Sequence, residues 1–285
     1  MRGTPMTNKS ASIWLVVVMF IFSIYFLLPF YWILVSVTKD NGQLNTTFGL
    51  WFAYPWHLLD NFHEVFTRNG GIFWRWLGNS FLYSTTAATL ATLFAAMAGF
   101  AFSKYTFFGR SFLFTLILGT IMIPATALAF PIFLLIQNVG LANTIWAVIL
   151  PQTVSPFGLY LMRMFWDQSF PNELMEAAKL DGANDATVFW RLGVPLIQGG
   201  LVTVFLFTFV AVWNNFFLPL IVLGNNNLFP LPLGLAGWAA TQTGSTPPYS
   251  AIILGALIGI LPLVLSLLFL GRYWQAGLTV GATKG

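Results

Sequence analysis

Charge is what this sequence lacks most. Asp, Glu, Lys and Arg make up 7% of its 285 residues, against 58% hydrophobic. A soluble domain carries roughly 25% charged residues, so the few present here cannot clothe a soluble globule of this length, and an ordinary soluble enzyme is excluded. Disorder is excluded for the opposite reason, since it needs low hydrophobicity and high charge. Cysteine is absent, which removes disulfide scaffolds, Cys-ligated zinc and thiol catalysis. The lysines follow Asn8, Thr38, Ser103, Ala178 and Thr283, never a glycine. The Gly-Lys pair of a phosphate-binding loop is therefore missing, and any ATP energy has to come from a partner. What is abundant is apolar and aromatic: 30 Phe, 12 Trp and 8 Tyr suit a chain that meets lipid.

Where charge is missing, spans can be counted. Residues 10–38, 76–103, 111–162 and 192–271 contain no Asp, Glu, Lys or Arg. A spanning helix needs about 20 apolar residues, so the first two stretches each hold one helix. The third is divided by the polar hairpin Gln137–Asn143, and the fourth by a polar, Gly- and Pro-rich loop from Gly224 to Tyr249. The expectation is an all-α polytopic membrane protein, one transmembrane domain over 1–285, with six spans near 13–38, 79–103, 112–136, 143–164, 197–223 and 250–271. The first apolar run exceeds the ~7–15 residues of a signal peptide core and reads as an uncleaved helix. With both termini inside, the internal segments carry Arg2, Lys9, Lys104, Arg110, Arg163, Lys179, Arg191, Arg272 and Lys284, and the external ones Lys39, Arg68 and Arg75. That obeys the positive-inside rule and explains the basic pI without nucleic acid. Pro29, Pro124, Pro131, Pro156, Pro219 and Pro262 fall inside spans, as structural kinks or, around Pro124 and Pro131, a bendable gate. Trp14, Trp74, Trp76, Trp166 and Trp274 read as anchors at the membrane surface.

No carboxylate, Lys or Arg lies at membrane depth, which weighs against an ion-coupled carrier. His57 and His63 fall in the first external loop, so neither a haem nor a metal site is expected.

One segment holds most of the acids. Between Arg163 and Arg191 stand Asp167, Glu173, Glu176, Asp181 and Asp185, five of the eight in the chain. Ser169 or Asn172 is placed to cap a helix, Glu173 and Glu176 suit its positive end, and Gly182 its C-terminus. Leu174, Ala177, Ala178 and Asp181 share one side. Asn184 can cap a second short helix through Arg191. The segment is either a surface loop kept soluble by its charges or an amphipathic helix whose small residues seat against another surface.

Spacing adds to this. Glu176-Ala177-Ala178, three residues, Gly182, nine residues, Leu192, one residue, Val194-Pro195 resembles the cytoplasmic loop signature of ABC-transporter permeases, Glu-Ala-Ala-x3-Gly-x9-Ile-x-Leu-Pro. Trp213–Leu220, Pro230–Leu235 and the tail Gly277–Gly285 are similar to late segments of carbohydrate permeases and to the end of the smaller permease of maltose-type importers. Asn215 stands where that family usually has an acid. The resemblance implies a type I ABC importer permease architecture in a bacterial or archaeal cytoplasmic membrane. It implies Glu176, Ala177, Ala178, Asp181, Gly182, Ala183 and Pro195 as the element that docks on a separate ATPase dimer, which holds ATP and Mg. A companion permease, an extracytoplasmic sugar-binding protein, a sugar and membrane lipid are the other implied partners; this chain itself carries no cofactor and no catalytic residue.

A neutral sugar needs a neutral polar path. Trp213, Asn214 and Asn215 are candidates, with Tyr160, Gln152 and Gln198 behind them; the plainer role of the asparagines is to join helices. Loop 39–76 faces outward, toward a binding protein or the companion permease. The alternatives are the same architecture moving a non-sugar solute, an ion-coupled secondary carrier, and a membrane scaffold.

Overall fold

A computed structural model describes residues 9–240 and 247–282, with side chains over 13–240 and 247–271. Its elements are α1 (Lys9–Ser36), α2 (Asn41–Thr46), α3 (Leu58–Lys104), α4 (Arg110–Thr120), α5 (Ala125–Asn138), α6 (Ile145–Gln152), α7 (Pro156–Ser169), α8 (Asn172–Leu180) and α9 (Asp185–Thr187). A π-helix (Val188–Gly193), α10 (Val194–Leu196), α11 (Gln198–Trp213), α12 (Phe217–Val222), a 3-10 turn (Asn226–Leu228), α13 (Leu231–Ala239) and α14 (Tyr249–Ala282) complete the order. There is no strand among the described residues.

Three helices are long and apolar enough to cross a membrane alone: Ile13–Ser36, Leu58–Lys104 and Tyr249–Gly271. Three more spans arise if each bent pair counts as one: α4 with α5, bent by 104°, α6 with α7, by 42°, and Asp185–Leu196 with α11, by 80°. The breaks have sequence causes. Pro124 at the start of α5 cannot donate to the preceding turn. Ser155 accepts from the Gly158 amide and Pro156 sits in the first turn of α7, a strong helix start. The third pair breaks at Ile197, between α10 and α11, and Asn214 and Asn215 lie at a further interruption, between α11 and α12.

The described residues fall into two compact units. One comprises the chain up to Gly70 with Trp238–Ile258, the other Gly71–Gly237 with the chain from Gly259 on. The first unit contains α1, whose residues from Ile13 to Leu28 are exposed all round. α3 begins at Leu58, well before the span expected from residue 79. Its first turns are kept helical by polar pairs such as Arg68–Glu64 at 2.6 Å, and its backbone turns left-handed at Asn69, Gly70 and Gly71, where the units divide. In the second unit α7 packs on α11 and α4, and α12 on α5 and α6.

Two of the expected surface tryptophans are core residues. Trp76 is buried with its indole donating to the Asn226 carbonyl at 2.9 Å, and a Cβ on Gly234 would overlap its ring. Trp166 is buried with its indole on the Ala96 carbonyl at 2.9 Å. Trp14 and Trp74 are exposed. The side chain of Trp274, the residues Arg2 and Thr283–Gly285, and Thr241–Thr246 of the late loop lie outside the described residues, as do the side chains of Arg272 and Gly277–Ala282.

Candidate functional site

α8 is reached through Phe170 and Pro171, with Pro171 at its N-cap and no side-chain cap. Ser169 ends α7, and Asn172 Oδ1 accepts instead from Lys104 Nζ at 3.2 Å; neither caps the helix as expected, because Asn172 is drawn to the lysine. Glu173 in the first turn and Lys179 in the last match the helix dipole. Met175 is buried, whereas Glu173, Glu176, Ala177 and Leu180 are exposed. Ala178 and Ala183 pack against the Trp166 cluster, so Ala177 and Ala178 divide between an outer and an inner face rather than sharing one side.

The helix ends in a Schellman turn. The Gly182 amide bonds to the Lys179 carbonyl at 3.0 Å and the Ala183 amide to the Ala178 carbonyl at 2.9 Å. Gly182 has φ of +82° with open space where a Cβ would go; backbone conformation alone demands the glycine there. Among the described residues Glu176 and Asp181 form no ion pair, so both carboxylates are available to a partner.

Beneath α8 the chain is tightly joined. The Trp166 ring contacts Phe100 at 4.7 Å, Phe189 at 5.5 Å and Phe170 at 5.7 Å. A Cβ on Gly99 would come within 2.8 Å of the Arg163 amide nitrogen, so α3 and α7 meet backbone to backbone, as small residues permit at membrane depth. Lys104 Nζ donates to the Phe170 carbonyl at 2.5 Å, Ser103 Oγ to Asp167 at 2.5 Å, and Arg163 lies 4.0 Å from the Phe114 ring centre. No spacing signature joins these residues: the sequence offers Trp166 as a surface anchor, Lys104 and Arg163 as internal charges and Asp167 as one of the acids, not as one cluster. The hydrogen-bond partners of Ser103 and Lys104 lie 64 and 66 positions away.

Past the turn, Asn184 Oδ1 accepts from the Thr187 amide at 2.8 Å, starting α9, which runs on into the π-helix. Lys179 pairs with Asp185 at 3.2 Å. The Tyr105 hydroxyl is pushed up to about 12 by burial and by its bond to Asp185, and that bond, followed by Lys179, holds the exposed Asp185 below the usual carboxylate range. A Cβ on Gly193, at the end of the π-helix, would overlap the Trp166 ring. Pro195 is exposed in α10.

The solute-path candidates are dispersed. Trp213 is buried between Phe81, edge-on at 4.9 Å, and Phe209, stacked at 5.7 Å, and its indole donates to the Gly259 carbonyl at 3.1 Å. Its ring is engaged on both sides and holds no free face for a sugar. Asn214 is exposed, with Nδ2 on the Val210 carbonyl at 2.8 Å. Asn215 Oδ1 accepts from the Leu218 amide at 3.3 Å and opens α12. Gln152 ends α6 at the break before α7, Tyr160 lies half-exposed on α7 and Gln198 is exposed at the start of α11. A groove of about 320 Å³ lined by Thr92, Leu93, Ala96, Phe189, Val202 and Phe205 is apolar, its Thr92 hydroxyl spent on the Ala88 carbonyl at 2.7 Å; it offers nothing to a polar solute. No group of three or more His, Asp or Glu that could hold a metal occurs among the described residues.

Residues 91–280 match the family described as binding-protein-dependent transport system inner membrane component. The chain is 40% identical over 227 residues, 80% of each chain, to the arabinooligosaccharides transport system permease protein AraQ of Halalkalibacterium halodurans. It is 30% identical over 261 residues, 90% of each chain, to the lactose transport system permease protein LacG of Rhizobium radiobacter. Its fold matches a chain of a bacterial ABC transporter involved in the import of the acidic polysaccharide alginate, with TM-score 0.83 and 20% identity over 96% of this chain and 100% of the other.

Proposed function

The chain belongs to the family of binding-protein-dependent transport system inner membrane components, and from that premise we propose that it forms half of the passage for an oligosaccharide, driven by ATPase subunits that seat on α8. It is a permease subunit of an ABC importer, not an enzyme; ATP hydrolysis belongs to a separate subunit, and a substrate-binding protein delivers the solute. The companion is a second permease paired with this one in a bacterial or archaeal cytoplasmic membrane, lipid surrounds both, and ATP with Mg sits on the ATPase dimer. The sugar assignment is supported by the arabinooligosaccharide and lactose permeases among its relatives.

The observation that carries the docking role is the outer face of α8. It presents Glu176 and Asp181 free of ion pairs and Ala177 without bulk, closed by the Gly182 turn, while its inner face is fixed by Met175 and Ala178. Carboxylates there pair with Arg or Lys of the ATPase, and Ala177 lets the helix seat closely; Ala183 and Pro195 shape the exit toward α10 and α11. ATP-driven closure then displaces α8, and the broken spans give way. For the path itself, Asn214 and Asn215 at the α11–α12 break are the groups suited to sugar hydroxyls, with Gln152 and Tyr160 further along it and Trp213 as packed support.

The complex as isolated from its native membrane tests this directly. Its binding protein should release a neutral oligosaccharide, identified by mass spectrometry. A cysteine placed by Ala177→Cys in this Cys-free chain should cross-link to the ATPase subunit. A non-carbohydrate ligand overturns the substrate; absence of the cross-link overturns the docking face.

A further inference from the structure

The first external connection does not stand off from the span it follows. α1 ends at Ser36, and Lys39 is the first charge after it. The chain then turns back on itself: the Tyr31 hydroxyl donates to the Leu50 carbonyl at 3.1 Å, and a Cβ on Gly49 would lie 3.5 Å from Nε1 of Trp32. Tyr31 precedes the end of α1 by about 7 Å, at a rise of 1.5 Å per residue. Gly49 and Leu50 thus run beside the apolar flank of α1, below the level at which charge begins.

Several bonds hold them there. Lys39 is 1% exposed and its Nζ donates to the Phe48 carbonyl at 2.8 Å. Asn61 Nδ2 donates to the carbonyls of Val37 and Lys39, each at 2.9 Å, and the His57 amide to Thr38 at 2.9 Å. α2 opens with a capping box of Asp40 and Gln43, and Gln43 Nε2 reaches the Pro55 carbonyl at 3.0 Å. A loop fixed at so many points is built for a position.

What it displays is uncharged and aromatic. No charged residue stands between Asp40 and His57. Phe48 is 73% exposed, Trp51 66%, Tyr54 93% and Trp56 63%, and Phe52 stacks on Trp56 at 5.7 Å. Trp and Tyr are the side chains that favour the boundary between hydrocarbon and water, one end apolar and the other wet. A soluble partner would have to descend along α1 to meet this surface, whose nearest charges, Asp40 and Asp60, are already paired with His57.

We propose that residues 48–56 form an aromatic wedge seated in the lipid surface beside α1 on the extracytoplasmic side, an interfacial anchor that fixes the level of the first span in the bilayer.

The absence of cysteine lets one probe be placed at a time. In the assembled complex in phosphatidylcholine nanodiscs, a fluorophore on Trp51→Cys should lose most of its emission when the lipid acyl chains are brominated and should resist aqueous iodide. The same probe on Asn45→Cys, on the exposed face of α2, should do the reverse, and Trp56→Cys carries the test should Trp51→Cys not assemble. Iodide quenching at residue 51 as strong as at residue 45 overturns the proposal. So does shielding from both quenchers, which would place the companion permease there, or shielding that appears only with the binding protein.

Discussion

Around Trp166 the helices are joined by close contacts; around Asn214 they are broken. At the first place a buried indole, three aromatic contacts, the Gly99 close approach and the Lys104 and Ser103 bonds join α3, α7, α8 and the π-helix. At the second, α11 gives way to α12 with two asparagines each making one bond to neighbouring backbone, and α12 packs on α5 and α6, each of which belongs to a bent pair. On the proposed docking role, a displacement applied to α8 would be carried by the stiff body and absorbed where backbone bonding is already interrupted.

The comparison is broken most severely at Trp166. Trp166→Ala should destabilise the complex by about 3–5 kcal/mol, the usual cost of deleting a buried large aromatic, read as a lowered thermal midpoint, while Trp14→Ala on exposed α1 should leave the midpoint in place. Gly99→Ala should cost about 1–3 kcal/mol by forcing α3 from α7, with the same readout. Gly182→Val should cost about 1–2 kcal/mol at the left-handed turn and leave membrane insertion intact. At the yielding end, Asn215→Ala should cost about 1 kcal/mol by removing a helix-start bond and should lower transport more than the thermal midpoint.

The smallest effect is expected at Tyr105. Asp185 has a lowered pKa, so its contribution is present above the ordinary carboxylate value and is lost as pH falls through the lowered one. Tyr105 has a raised pKa, so its contribution is present below the ordinary tyrosine value and is lost as pH rises toward about 12. Neither transition lies near neutrality. Tyr105 and Asp185 should therefore add no pH dependence near neutrality to the ratio of solute moved to ATP hydrolysed, and Tyr105→Phe should alter that ratio little.

Much of this was legible from charge. The charge-free stretches locate the apolar helices because no other arrangement of so few charges serves a membrane chain, and the spacing from Glu176 to Pro195 marks α8 because a helix, its glycine turn and its exit have fixed lengths. The first turns of α3 were not legible: Asp60, Glu64, Arg68 and the Gly70-Gly71 pair read as loop, and only the folded backbone, with Glu64 paired to Arg68, shows them helical. Nor could Trp76 and Trp166 be told from Trp14. In an apolar sequence every tryptophan looks suited to lipid, and what buries these two are carbonyls at Asn226 and Ala96, remote in the chain. Asn172 was misread for the same reason, since Lys104 claims it from 68 positions away.

The central claim is that α8 receives the force of ATP hydrolysis. It is tested most directly by reconstituting the whole complex in proteoliposomes with Glu176→Lys and, separately, Gly182→Val, and measuring solute uptake and ATP hydrolysis together. Uptake should fall in both while the subunits remain membrane-inserted and ATP hydrolysis no longer follows the solute. Uptake equal to that of the unaltered complex in both variants would contradict the account.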